Sequence, residues 1–260
     1  DRYAGLQQYH AAKHRIFRGA SQVIFNRQDA LTNPLLSKEV KLCDFGLNRP
    51  DLANFGVLEE EGEAWLAYGL KPLMPSAELA IKGRHNIANA LAALALGQAA
   101  GLNMDAMLQT LRTFKGLSHR CEYVATHKGV TYIDDSKGTN IGATVAALDG
   151  FGDSNRANLI LIAGGQGKGQ NFNELKTPLG KFVKFLALYG EDAESIAETL
   201  AGTTEMKTVN SLQAAVDCAR AAAESGDIIL LSPACASFDM FSGFEERGRC
   251  FQQAVTAVAA

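Results

Sequence analysis

Nowhere in the 260 residues does an apolar run approach the roughly 18 positions that a membrane-spanning helix needs; the longest stretches, such as Ala90–Leu96, are core-sized. Cysteine is sparse and unpaired: residues 43, 121, 218, 235 and 250 are odd in number, scattered, and form no Cys-x-x-Cys. That pattern fits reduced intracellular thiols better than a disulfide framework or a zinc site. No charge of one sign dominates, with 25 Lys+Arg against 28 Asp+Glu and a formal net charge of −3. Duplex nucleic acid and anionic membrane are therefore not expected as partners. Repeats and low-complexity tracts are absent. What is present is ordinary globular composition, 47 % apolar and 20 % charged, at a length suited to one large or two medium domains. The chain opens on Asp1 and runs directly into a helical pattern, which reads as a cut end; the expectation is that an upstream part of a longer protein is missing.

Periodicity organises the chain in two parts. Leu6 to Arg18 has helical spacing, and short β-like runs follow at 22–25, 40–45, 55–58 and 64–68. The acidic turn Glu59-Glu60-Glu61-Gly62 predicts a hairpin between the last two. Helices are predicted over His85–Ala99 and Met104–Thr113, separated by Gly101-Leu102-Asn103 as stop and cap. The pattern changes character at Phe114-Lys115-Gly116-Leu117, so domains of 1–116 and 117–260 are expected. Beyond this point strands (121–126, 130–133, 159–163, 183–188, 228–231) alternate with helices (139–148, 193–200, 212–223 capped by Ser211, and one from Phe244). That alternation predicts an α/β, Rossmann-like C-terminal domain with a mostly parallel sheet covered on both faces. Ligands in such sheets bind at the carboxyl ends of the strands, which directs attention to loops 134–140, 163–171 and 232–244.

Each loop has chemical potential and a plainer reading. Asp135-Ser136-Lys137-Gly138-Thr139-Asn140 opens a helix, so free N–H groups and Lys137 offer an anion site, with Asp135 suited to a ribose or metal. Simple capping by Thr139 or Asn140 is the alternative. Gly164-Gly165-Gln166-Gly167-Lys168 is neither a dinucleotide fingerprint nor a Walker A loop, and leaves one lysine for a carboxylate or phosphate. Ser232–Asp239 combines small residues with hydroxyls; Cys235 lacks an adjacent base and is not expected to be a nucleophile. Gly83–Asn89 places His85, Asn86 and Asn89 together at a helix start, with capping by Asn86 the alternative. His10 and His14 are four apart without an acidic partner, which does not make a zinc site.

Together these segments resemble the Mur ligases of bacterial cell-wall synthesis over nearly the whole chain. The resemblance rests on Asp1-Arg2-Tyr3, Tyr9-His10-Ala11-Ala12-Lys13, Gly83–Ala95, Gly116–Arg120, Asp135–Asn140, Gly164–Lys168 and Ser232–Gly248. The Asp-Asn-Pro-Arg motif of the diaminopimelate- and lysine-adding members is absent. That favours the branch adding D-glutamate to UDP-N-acetylmuramoyl-L-alanine with ATP and Mg2+. The resemblance implies a cytoplasmic enzyme of peptidoglycan synthesis, serving cell shape and division, with domains that close around the reactants. By the same resemblance Lys13 is carbamylated and ligates magnesium, and His85, Asn86, Asn89, Arg120, Asp135 and Lys137 contact ATP. Thr139, Lys168, Ser237, Phe238 and Phe244 form the D-glutamate pocket.

The departures carry their own expectations. No Gly-x-x-x-x-Gly-Lys-[Ser/Thr] occurs in the chain, so residues 1–116 are expected to be the C-terminal part of a central ATP-binding domain, inactive alone. An unpaired sheet edge from such truncation predicts oligomers. The competing readings are a folylpolyglutamate synthetase-like ligase and a stand-alone nucleotide- or ligand-binding module.

Overall fold

The computed structural model describes residues 3, 5–34, 40–60 and 62–257; Asp1 and Arg2 of the opening motif, and Glu61 of the acidic turn, lie outside them. Two compact units divide the chain, Asp1–Lys115 and Gly116–Ala260.

The first unit contains α1 (Leu6–Lys13), β1 (Gln22–Asn26), β2 (Lys41–Phe45), β3 (Phe55–Glu60), β4 (Glu63–Tyr68), β5 (Lys71–Pro75), α2 (Arg84–Ala99) and α3 (Met104–Thr113). Its strands form one sheet in sequence order; β1, β2 and β3 run parallel, and β3, β4 and β5 antiparallel. The predicted hairpin is present, with Glu60 paired to Glu63. The Ala- and Leu-rich α2 lays Leu91, Leu94 and Ala95 against Cys43, Phe55, Leu66 and Met74. Each large apolar side chain so buried contributes about 1.5–3 kcal/mol. Asn103 starts α3 by accepting from Ala106 N at 3.0 Å.

The second unit contains β6 (Glu122–His127), β7 (Val130–Asp134), α4 (Ile141–Phe151), β8 (Leu159–Gly164), α5 (Lys176–Phe182), β9 (Val183–Tyr189), α6 (Ala193–Leu200), β10 (Glu205–Thr208), α7 (Leu212–Ala222), β11 (Ile228–Leu231) and α8 (Phe244–Thr256). Its sheet has the order β10-β9-β8-β11-β7-β6, parallel except for β6. All six residues of β8 are buried, because side chains alternate between two cores. Leu159, Leu161 and Ala163 face α4, α5 and α6, whereas Ile160 and Ile162 face α7 and α8. From adjacent strands, β8 leads away to β9 while β11 leads to α8 over β6 and β7. The loops after β8 and β11 therefore meet at a topological switch point.

Several boundaries differ from expectation. The first helix is α-helical only to Lys13 and tightens into a 3-10 turn over His14–Phe17. The helix expected from Thr139 begins at Ile141, because Asn140 is extended and its side chain accepts from Ala143 N at 3.0 Å. Several elements were not anticipated. β5 carries two prolines, which an edge strand tolerates, and β10 is a short edge strand with exposed Glu205 and Lys207. The helical segment 172–182 holds Pro178 in the first turn of α5.

Candidate active site

Three loops at the carboxyl end of the second unit's sheet are tied together by backbone geometry. A Cβ on Gly164 (φ +119) would run into the Tyr189 carbonyl, and one on Gly165 (φ +121) into that of Ala236. These glycines let the loop after β8 lie directly against that after β11. Gln166 and Ala236 exchange two backbone hydrogen bonds of 2.9 Å, and Gly164 N donates to Pro233 O at 3.0 Å. Ala234 takes a left-handed φ of +59, a conformation costing a non-glycine residue about 1–2 kcal/mol, and donates to Gly138 O at 2.9 Å.

Asp135 is buried where β7 meets this junction. Its Oδ2 accepts from Ser232 Oγ at 2.7 Å and its Oδ1 from Cys121 N at 3.3 Å; Ser232 Oγ also lies 3.1 Å from Thr144 Oγ1. Burial dominates these bonds and pushes the carboxyl up to about 6. The neighbouring Asp134 faces a different group. Its Oδ2 accepts from Gln252 Nε2 at 2.8 Å and lies 2.7 Å from His119 Nδ1. Glu122 Oε2 accepts from His119 N and Gln252 Nε2. His119, Glu122 and Asp134 are the one group of three potential metal ligands among the described residues. Their oxygens already accept from the chain's own donors, so the group reads as a hydrogen-bonded brace. The His119 carbonyl in turn accepts from Lys137 N at 3.0 Å.

Arg247 of α8 has no exposed surface. It donates to Ser136 Oγ (3.0 Å), Ser136 O (2.8 Å) and Cys235 O (3.1 Å), and no carboxylate among the described residues pairs with it. Ser136 Oγ donates to Phe244 O at 2.8 Å, so one guanidinium and one hydroxyl join two loops to the start of the last helix. Cys235 is buried, and desolvation pushes its thiol up to about 12, which keeps it un-ionised. Lys137 Nζ stands 3.9 Å from the Phe244 ring centre and Lys168 Nζ 5.8 Å from that of Phe238. Ser237 is buried, whereas Phe238 is 66 % exposed. Thus Asp135, Lys137, Thr139, Lys168, Ser237, Phe238 and Phe244 occupy one end of the sheet, each in or bordering these loops. Arg120 is exposed beside His119.

In the first unit, His85, Asn86 and Asn89 share the start of α2. Asn86 does not cap that helix: the N-cap is Gly83, and Asn86 Nδ2 donates back to Lys82 O at 2.8 Å. Asn89 Nδ2 donates to Asn86 Oδ1 at 3.2 Å, which confirms their adjacency. Burial lowers the His85 pKa and favours the neutral ring. Lys13 is exposed on α1, its Nζ 5.2 Å from the Tyr9 ring centre. No carboxylate among the described residues pairs with it. The His10 and His14 rings meet at a tilt with centroids 3.9 Å apart, and each Nε2 lies within hydrogen-bonding distance of Leu31 O.

Sequence reasoning missed Arg247, Ser136, Thr144 and Gln170. Ser136 and Arg247 stood inside recognised motifs, but their partners are 111 residues apart in sequence, and no local pattern announces such a bond.

Residues 1–97 match the Mur ligase middle domain and residues 119–235 the Mur ligase glutamate ligase domain. The chain belongs to the Mur ligase family. It is 53 % identical over 259 residues to a protein of Pseudomonas savastanoi pv. phaseolicola named UDP-N-acetylmuramoylalanine–D-glutamate ligase, and 52 % identical to its namesake from Pseudomonas aeruginosa. Both alignments cover 100 % of this chain but 58 % of the relative, so the chain spans little more than half their length. Among solved structures, a UDP-N-acetylmuramate-alanine ligase from Thermotoga maritima superposes with a TM-score of 0.66 at 18 % identity, covering 98 % of this chain and 56 % of that one. A type C pseudomurein peptide ligase from Methanothermus fervidus gives 0.70 at 15 % identity, covering 97 % and 60 %. A Thermotoga maritima folylpolyglutamate synthase gives 0.54 at 16 % identity, covering 87 % and 57 %. These likenesses establish the shared fold. No helix among the described residues is long and apolar enough to cross a membrane.

Proposed function

We propose that this chain supplies the amino-acid-binding domain, and part of the ATP-binding domain, of a ligase that joins D-glutamate to UDP-N-acetylmuramoyl-L-alanine in peptidoglycan synthesis. The observation that carries this reading is the identity of 53 % along the entire chain to a relative named for that reaction. The folylpolyglutamate synthase likeness is one of fold alone and does not compete with it.

In this reading ATP activates the muramoyl-alanine carboxylate as an acyl phosphate, and the amine of D-glutamate attacks it. The chain's own residues bind and orient the reactants. Lys168 pairs with a carboxylate of D-glutamate, and Thr139 and the Ser237–Phe238 and Phe244 segments supply further contacts around it. Asp135, half-protonated near pH 6, accepts from a ribose hydroxyl, and Lys137 with Arg120 faces phosphate. His85, Asn86 and Asn89 contact the adenine nucleotide from α2. By the same reading Lys13 would bear a carbamate, whose carboxylate could ligate Mg2+; no step is routed through it.

A glycine loop of Walker type is absent from the 260 residues, so the chain alone is proposed not to turn over. Titration of the chain with D-glutamate, followed by amide NMR, tests the pocket. Shifts at Gly165–Lys168 and Ser237–Phe238 that L-glutamate does not reproduce would support the reading. Equal response to both enantiomers, or none to either, would sink it. Phosphate release above background when ATP and both substrates are added would overturn the proposed inactivity.

A further inference from the structure

Gln170 has no place among the ligand contacts, yet its side-chain amide touches all three loops of the second unit's site. Its Oε1 accepts from Ile141 N at 3.1 Å, and its Nε2 donates to Gly167 O at 3.0 Å and Ala234 O at 2.9 Å. Ile141 N is one of the N–H groups that the start of α4 leaves without an intrahelical partner. Asn140 serves Ala143 N, and Gln170, 29 residues on, serves Ile141 N. The amide's polarity matches its surroundings, with the acceptor toward an N–H and the donor toward two carbonyls; reversing it would lose all three bonds.

We infer that Gln170 is a positioning residue that sets the spacing of the three loops around the D-glutamate pocket. This inference rests on the proposed pocket. Every anchor lies close in sequence to a pocket residue: Ile141 two positions after Thr139, Gly167 next to Lys168, and Ala234 three positions before Ser237. One planar group thus couples the approach of all three walls. The length and bifunctional head of glutamine are both required. Methionine fills the space without bonding, and glutamate keeps the bond from Ile141 N while setting charge against two carbonyls.

Amide hydrogen exchange of the whole chain separates these roles, because the reporting N–H groups are bonded at or next to the clamp. Gln170→Met should speed exchange about tenfold at Ile141, Ala234 and Ala236. Gln170→Glu should speed it at Ala234 and Ala236 while Ile141 stays protected. A merely structural packing role would not divide the amides in this way. D-Glutamate affinity should fall about fivefold in Gln170→Met. Unchanged exchange in both variants, or equal loss at all three amides in Gln170→Glu, would overturn the clamp. Lys168→Ala serves as the independent control: if it leaves D-glutamate affinity intact, the pocket assignment fails, and the exchange pattern still decides the fate of the clamp.

Discussion

Lys137 and Phe244, 107 positions apart in sequence, meet with the ammonium 3.9 Å from the ring centre. The contact joins the loop after β7 to the first residue of α8, linking a residue assigned to nucleotide with one assigned to the amino acid. Such a pairing stabilises by about 0.5–1 kcal/mol at a partly exposed site. Phe244→Leu should lower stability by about that much. The ring's magnetic field should also displace the Lys137 ε-methylene proton signals, and the displacement should vanish in the variant. An unchanged Lys137 signal would show that the contact does not form in solution.

Asp135 makes stability depend on acid. Its folded pKa of about 6 lies above the ordinary 3.8, so the folded chain binds a proton more tightly than the unfolded one. The stabilising contribution is full below pH 3.8 and is lost as pH rises through about 6, amounting to on the order of 3 kcal/mol. Asp135→Asn should remove this dependence and raise the denaturation midpoint at pH 8 relative to the parent chain. If the two chains unfold alike at pH 8 and pH 5, the carboxyl is not desolvated as described.

Cys235 should resist alkylation. A thiol pushed up to about 12 and without exposed surface gives almost no accessible thiolate at pH 8. Iodoacetamide followed by mass spectrometry should leave Cys235 unmodified in the folded chain and label it in urea. Rapid labelling of the folded chain would return the residue to consideration as a nucleophile.

Arg247 should be intolerant of lysine. Its guanidinium reaches Ser136 Oγ, Ser136 O and Cys235 O from one plane, a fork that an ammonium cannot reproduce. Arg247→Lys and Arg247→Met should each cost about 2–3 kcal/mol, because carbonyls on two loops are left unserved in a buried site. Denaturant unfolding checks this, and a variant within 0.5 kcal/mol of the parent, about the scatter of an ordinary surface substitution, would contradict it.

The division between what sequence revealed and what it hid follows the range of the interactions. β8 declares itself as an uninterrupted apolar run, and Ser211 caps α7 through Ala214 N, three residues away, as its position implied. β10 hides because its exposed Glu205 and Lys207 carry the marks of a loop, and its strand character comes from pairing with β9. The site divides in the same way. The loops at the strand ends were legible from alternation alone, and Asp135, Lys137 and Lys168 from their place in those loops. The groups that hold the loops in register were not. Gln170 finds Ala234 64 residues away, and Arg247 finds Ser136 111 residues away, distances over which periodicity and capping rules are silent.

The burial of Arg247 has a consequence for how the site reads ionic surroundings. Small ions in solution cannot approach a guanidinium that has no exposed surface, whereas they can reach the exposed Lys168. At an ionic strength of 1 M the reach of exposed charge contracts to roughly 3 Å, while a sealed cation keeps its influence over the groups packed against it. The site thus combines two kinds of positive charge, one that salt silences and one that it does not. High salt should therefore weaken the pull of the exposed lysines on an incoming anion while leaving the Arg247 bonds to Ser136 and Cys235 intact.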